Sequence, residues 1–161
     1  MEIRRVRAAE WQATKDVRLR ALADSPTAFA TTHAEALERE DAWWQDWARR
    51  SAENDDQALY LAWAGDAPVG IAGMSFFQGH WWVFSMWVDP VHRGTGTGRA
   101  LLEAVLAYAR SRGATEVILD VTDGNDAARG LYERYGFADT GEHEPLPSYP
   151  ELETRKMRLA L

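Results

Sequence analysis

The run Val88-Asp89-Pro90-Val91-His92-Arg93-Gly94-Thr95-Gly96-Thr97-Gly98-Arg99-Ala100-Leu101-Leu102 leaves this chain few ways to fold. An apolar, β-like segment ends at Val88, Asp89-Pro90 turns the chain, three glycines follow two apart, and an amphipathic helix begins. A strand, a glycine-rich loop and a helix in that order leave backbone N–H groups unpaired at the positive end of a helix dipole, which makes a seat for phosphate oxygens. Glycine suits the loop because it lacks a Cβ, so a ligand can touch the main chain and φ can be positive. Spacing separates the known loops of this kind. A Walker loop ends in Gly-Lys-Ser/Thr, whereas Gly98 is followed by Arg99-Ala100. A dinucleotide fingerprint needs a glycine three residues after its second; after Gly96 that position is Arg99, and after Gly98 it is Leu101.

Composition narrows the classes. A chain of 161 residues with 46% hydrophobic and 27% charged residues reads as one folded domain, residues 1–161, with room for a substantial core. The segment Met1 to Arg7 lacks the apolar run of a signal peptide, and no stretch approaches the ~18 apolar residues of a membrane span, so the expectation is a cytoplasmic protein with no membrane partner. The absence of cysteine excludes a disulfide framework, a thiolate metal site and a cysteine acyl-enzyme; no metal site is expected. A net charge of −7 argues against a nucleic-acid partner and suits a cationic one.

Hydrophobic periodicity predicts a strand over Glu2–Arg7, helices over Ala8–Leu22 and Ala34–Glu53, and a meander of strands at Gln57–Ala64, Pro68–Phe77 and His80–Val88. A helix from Gly98 to Arg112 presents Leu101, Leu102, Val105, Leu106 and Ala109 on one face and stops at Gly113. A buried-type strand at Thr115–Val121, a helix from Asn125 to Tyr135, a strand at Phe137–Glu144, a stiff loop at Pro145–Pro150 and a last strand at Glu153–Leu161 complete the reading. Hairpins mixed with crossovers predict an α+β (α/β) fold with a mixed sheet of about seven strands and about four helices.

The glycine run resembles the Arg/Gln-x-x-Gly-x-Gly/Ala pyrophosphate loop of the GCN5-related N-acetyltransferases (GNAT), as Arg93-x-x-Gly96-x-Gly98. A second stretch, Asn125-Asp126-Ala127-Ala128-Arg129-Gly130-Leu131-Tyr132-Glu133-Arg134-Tyr135-Gly136-Phe137, is similar to the Asn-x-x-Ala-x-x-Leu-Tyr-x-x-x-Gly-Phe segment of the same superfamily, in the same order along the chain. Taken singly, Asn125 also suits a helix N-cap and Tyr132 a core aromatic. The resemblance covers roughly Leu59 to Leu161. It implies a mostly antiparallel sheet splayed between the fourth and fifth strands, acetyl-CoA (coenzyme A) as cofactor, and transfer of an acetyl group to a primary amine, of a small molecule first of all.

On that plan the diphosphate sits on Arg93, Gly94, Thr95, Gly96, Thr97, Gly98 and Arg99. The pantetheine arm follows main-chain groups of Met86, Trp87 and Val88, where an N–H would polarise the thioester oxygen. Tyr132 is the expected general acid, since a phenol with pKa near ~10 stays protonated at neutral pH. Asn125 would hold the pantetheine or the turn that positions Tyr132. Holding a lysine-like amine neutral at pH 7 costs about 4.6 kcal/mol, so a base or an apolar pocket is needed. His80 is the first candidate for that base, followed by Glu35, Glu38 and Asp120, or a water relay to a main-chain carbonyl.

Of the eight tryptophans, Trp43, Trp44, Trp47, Trp81 and Trp82 fall where the family builds its acceptor side, either as core or as an aromatic wall for an amine. Acetylation of a protein N-terminus or a lysine, and a non-catalytic acyl-CoA-binding module, are the alternatives. The assembly, monomer or homodimer, is left open.

Overall fold

The computed structural model describes residues 1–161. Strand β1 (Glu2–Arg5) is followed by three helices, α1 (Trp11–Asp24), α2 (His33–Leu37) and α3 (Asp41–Glu53). The meander β2 (Gln57–Ala64), β3 (Ala67–Phe77) and β4 (His80–Val88) leads into α4 (Thr97–Ser111), β5 (Glu116–Thr122), α5 (Asp126–Tyr135), β6 (Ala138–Leu146) and β7 (Tyr149–Ala160). All seven strands form one sheet in the order β1-β2-β3-β4-β5-β7-β6, antiparallel throughout except for the parallel pair β4–β5. No helix is long and apolar enough to cross a membrane.

Two apolar layers sandwich the sheet. On one face Leu101, Leu102, Val105, Leu106 and Ala109 of α4, the stripe expected from the sequence, bury completely against β-strand residues such as Met74 and Leu119. A leucine fully withdrawn from water contributes about 1.5–3 kcal/mol, so this stripe anchors the glycine loop that precedes it. On the other face Val17, Leu22, Trp44 and Trp47 pack over Leu59, Leu61 and Ile71.

Three expectations change. The helix expected over Ala34–Glu53 is two helices, because Glu38, Arg39 and Glu40 leave α2 and the chain restarts at Asp41. The predicted Pro145–Pro150 loop is a hairpin: β6 runs through Pro145 to Leu146, which pairs directly with Tyr149 of β7. Both prolines are accommodated where ladder donors are dispensable, Pro145 on the edge strand and Pro150 near a strand end. The first strand also stops at Arg5 rather than Arg7.

Two distortions of the sheet make room beside the glycine loop. In β4 the register against β3 slips between Ile71 and Gly73, and Ser85 takes a φ of +56°, a bulge in mid-strand. Gly73 permits it: a Cβ there would stand 2.4 Å from the Phe84 ring, so only glycine lets that ring lie across β3. Beyond the single pair Trp82–Ile118, β4 and β5 diverge, which is the splay the resemblance implied. The β5-facing edge of β4 from Val83 onward is therefore free of a ladder.

Candidate active site

The splay opens two cavities. The first, about 500 Å³, runs past the glycine loop and is lined by Met86, Trp87, Val88, Arg93, Gly94, Gly96, Gly98, Arg99, Asn125 and, from α5, Ala127, Ala128, Leu131 and Arg134. The second, about 410 Å³, lies under the β6–β7 turn. The cavities share Ala28, Met86, Asn125 and Ala128 and so meet at the bulge.

Local sequence explains the first cavity. Gly94 and Gly96 both adopt positive φ, +75° and +87°, and Gly96 is the N-cap of α4. That cap carries no side chain, so the first N–H groups of α4 have no side-chain partner and face outward. Arg93, Arg99 and Arg134 line the cavity and no acid does. Such a donor-rich, cationic mouth beside the apolar Met86, Val88, Ala128 and Leu131 fits a diphosphate followed by a pantetheine arm.

Arg93 also fastens the loop. Its Nε donates to the Val88 carbonyl at 2.9 Å and its Nη2 pairs with Asp24 at 2.6 Å. Asp24 accepts the Trp87 indole N–H as well, at 3.0 Å, and the hydrogen bonds from Trp87, Ser25 and Arg93 hold its carboxyl below the usual carboxylate range. The Trp87 ring is thus turned into the α1 side of the core. Thr95 and Thr97 line neither cavity: Thr95 Oγ1 donates to the His92 carbonyl at 2.6 Å and lies 3.0 Å from Thr97 Oγ1, which ties the loop internally.

Helix α5 separates the two spaces. Ala127, Leu131 and Arg134 face the first cavity, whereas Tyr132 lines only the second, with Ala128 four residues before it between the two. Asn125 caps α5 by accepting the Ala128 N–H at 3.4 Å, and touches both cavities. Tyr132 is buried, packs edge-to-face on Phe137 at 5.7 Å, and its hydroxyl is bonded to no protein group. Burial pushes the phenol's pKa well up, so it keeps its proton at any physiological pH.

Of the candidate bases, only Asp120 reaches a cavity. It lines the second, where burial raises its carboxyl above the ordinary range, the nearby Glu144 and Glu142 add to the rise, and Lys156 opposes it. His80 stands at the exposed start of β4 with Nδ1 4.0 Å from Glu116, and lines neither cavity. Glu35 closes the N-terminus of α2 by accepting the Thr32 N–H at 3.0 Å, and Glu38 is exposed at the other end of that helix. The expected aromatic wall reduces to Trp82. Trp43, Trp44 and Trp47 stack on one another in the α1–α3 core, and Trp81 packs on Phe76 and Tyr108.

Ser25, Ala28, Phe29 and Arg18, which come from α1 and the segment after it, line the site without any motif to mark them in the sequence. Arg134 and Leu131 were legible in principle, being spaced i, i+4, i+7 with Ala127 on one face of α5.

A glycine loop capping α4 and a splayed strand pair beside a proton-bearing phenol are the arrangement expected of an acyl-CoA-using transferase. Residues 18–137 match the acetyltransferase (GNAT) family model, and the chain belongs to that family, whose cosubstrate is acetyl-CoA. A mycothiol acetyltransferase of Cellulomonas flavigena is 36% identical over 134 residues, covering 80% of this chain and 37% of its own length. The chain thus spans well under half the length of the curated relatives it matches. Among solved structures, a GNAT-family acetyltransferase of Streptococcus pneumoniae superposes with a TM-score of 0.82 at 21% identity, over 99% of this chain and 98% of that one. The yncA protein of Salmonella typhimurium, solved with its cofactor acetyl-CoA, superposes at 0.77 with 22% identity over 100% and 94%. These two likenesses concern the fold.

Proposed function

We propose that the chain is an acetyl-CoA-dependent N-acetyltransferase acting on a primary amine of a small molecule, by direct transfer. The observation that carries this reading is the meeting of the two cavities at Met86, Asn125 and Ala128, with Tyr132 and Asp120 on the far side of the junction. One space suits the cofactor and the other the acceptor.

Arg93, Arg99, Arg134 and the amides from Gly94 to Gly98 would hold the diphosphate, and Met86, Val88 and Leu131 the pantetheine. Acetyl-CoA supplies an activated thioester, whose acetyl carbon exchanges its bond to sulfur for a bond to the amine nitrogen. Main-chain N–H groups along the bulged, unladdered edge of β4 would hydrogen-bond the thioester oxygen as it gains negative charge. Asp120 would receive the proton that the ammonium must lose; its raised pKa makes it a stronger base than an unshifted carboxylate. Tyr132 holds the proton destined for the departing sulfur, and burial keeps it there until it is needed.

Release of free thiol from acetyl-CoA with a broad amine panel tests the proposal. Amine-dependent release supports it. Tight coenzyme A binding with no release across the panel would leave a binding module as the correct reading.

A further inference from the structure

Arg18 is the one cation lining the second cavity, and nothing in the protein answers its charge. Its Nη1 is sealed from solvent and has no hydrogen-bond partner. The charged neighbour it feels is another cation, Arg39, and the Phe29 ring lies 4.7 Å from its guanidinium carbon. Burial lowers its pKa to about 10, which still leaves it charged at neutral pH. Acids are not scarce, since the chain carries 25 of them against 18 lysines and arginines. Arg93 and Arg20, by contrast, are paired with Asp24 and Asp89. A half-buried guanidinium with a sealed, unpartnered nitrogen is unfavourable unless something else supplies the anion.

The same cavity carries negative charge from Asp120 and Glu144, and neither carboxylate pairs with Arg18. The lining also includes the apolar Phe29, Val83, Phe84 and Leu119. The space is bridged rather than open: Ser148 in the β6–β7 turn donates its hydroxyl to the Phe29 carbonyl. A volume of about 410 Å³ accommodates a small molecule.

We infer that the acceptor is a small amino acid with an apolar side chain, its amine directed to Asp120 and its carboxylate bound by Arg18. This deepens the acetyl-transfer reading above and rests on it. A guanidinium meets a carboxylate through two parallel N–H···O bonds, so Arg18 selects for the carboxylate itself and not merely for polarity. A simple amine or an internal lysine would leave Arg18 as it stands in the free protein.

The test compares leucine, methionine and phenylalanine with their amides, their decarboxylated amines and a tripeptide amide bearing the same first residue. Turnover is read as thiol release, and binding by calorimetry in the presence of coenzyme A. The free acids should exceed the amides by about 30-fold or more in kcat/KM, chiefly through KM. R18M should lower kcat/KM for the acids by about 10²-fold, equivalent to about 2.7 kcal/mol, and bring acid and amide within about threefold of each other. R18K should give an intermediate ratio, and it decides the matter together with the wild-type ratio if R18M does not fold. Amides or tripeptide amides used as well as the acids, or a ratio that R18M leaves intact, would overturn the inference. Acids that neither bind nor turn over refute the inference alone, and turnover of the decarboxylated amines or amides then keeps the acetyl-transfer reading; acids that bind through Arg18 while no amine of any kind is turned over leave Arg18 a carboxylate site and refute acetyl transfer.

Discussion

Replacing Tyr132 by phenylalanine separates chemistry from folding unusually well in this protein. The ring stays packed on Phe137, 5.7 Å between centroids, and the lost hydroxyl had no protein hydrogen-bond partner. Stability should therefore move by no more than about 0.5 kcal/mol, as for substitutions that break no named interaction. At about 2–4 °C per kcal/mol for a domain of this size, the Tm should stay within about 2 °C. The KM for acetyl-CoA should change little, because Tyr132 does not line the glycine-loop cavity. The kcat should fall by roughly 10- to 10³-fold, the scale of a removed general acid. Because burial raises the phenol's pKa, the wild-type kcat should show no falling alkaline limb up to about pH 9. Full kcat in Tyr132→Phe would refute the acid assignment. A large drop in Tm would show that the hydroxyl has a structural partner and would undermine the reasoning from burial.

Other substitutions probe the remaining groups. Asp120 has a raised folded pKa, so its favourable contribution exists below the ordinary carboxylate pKa and is lost as pH rises through the folded value. Asp120→Asn should thus raise the Tm at pH 7 while cutting kcat/KM by about 10²-fold and removing the acidic limb of its pH profile; a lower Tm, or an unchanged limb, excludes Asp120 as the base. Asp24 is the opposite case, with a depressed folded pKa and a contribution present above the ordinary carboxylate value. Asp24→Asn should cost about 1–3 kcal/mol at neutral pH by unpairing Trp87 and Arg93, and melts should show the gap to wild type closing as pH falls through Asp24's folded pKa. Gly96→Val forces a β-branched residue to a φ of +87°, at a folding cost of about 1–2 kcal/mol because no atom crowds the position. Calorimetry should find acetyl-CoA binding at least tenfold weaker, and unchanged affinity would show that the loop does not hold the diphosphate.

The two sides of the site differ in how much of them the sequence displays, and the difference is physical. Main-chain recognition of a diphosphate needs glycines at fixed spacing before a helix, and Gly94, Gly96 and Gly98 leave that mark within a few residues. The strand order and the α4 stripe are equally local, being set by hairpins, a crossover and a 3.6-residue period. The acceptor side has no such mark. Arg18, Phe29, Trp82, Asp120 and Glu144 are brought together only by the sheet order β4-β5-β7-β6 and by α1 lying across it, and each contributes a single side chain. His80 opens the aromatic strand in the sequence, but β4 carries it to the hairpin end, away from the bulge. Asp120, four positions after Glu116 on β5, faces the splay instead.

Several departures from ordinary folding rules lie on that same acceptor side. Ser85 holds a left-handed φ in mid-strand, Arg18 is charged without an anion, Asp120 is partly desolvated, and the Tyr132 hydroxyl is left unbonded. The Ser85 backbone and the Arg18 guanidinium are unfavourable in the free protein, and none of these groups is needed to close the core, which Leu101, Leu102, Met74 and Leu119 complete without them. Such groups are tolerated where a ligand relieves them. One molecule bearing both an ammonium and a carboxylate would relieve Asp120 and Arg18 together, whereas a bare amine answers only the first. On that proposal the free-protein costs would become acceptor selectivity, to which the cofactor side, whose strain is confined to glycines that adopt positive φ freely, would contribute nothing.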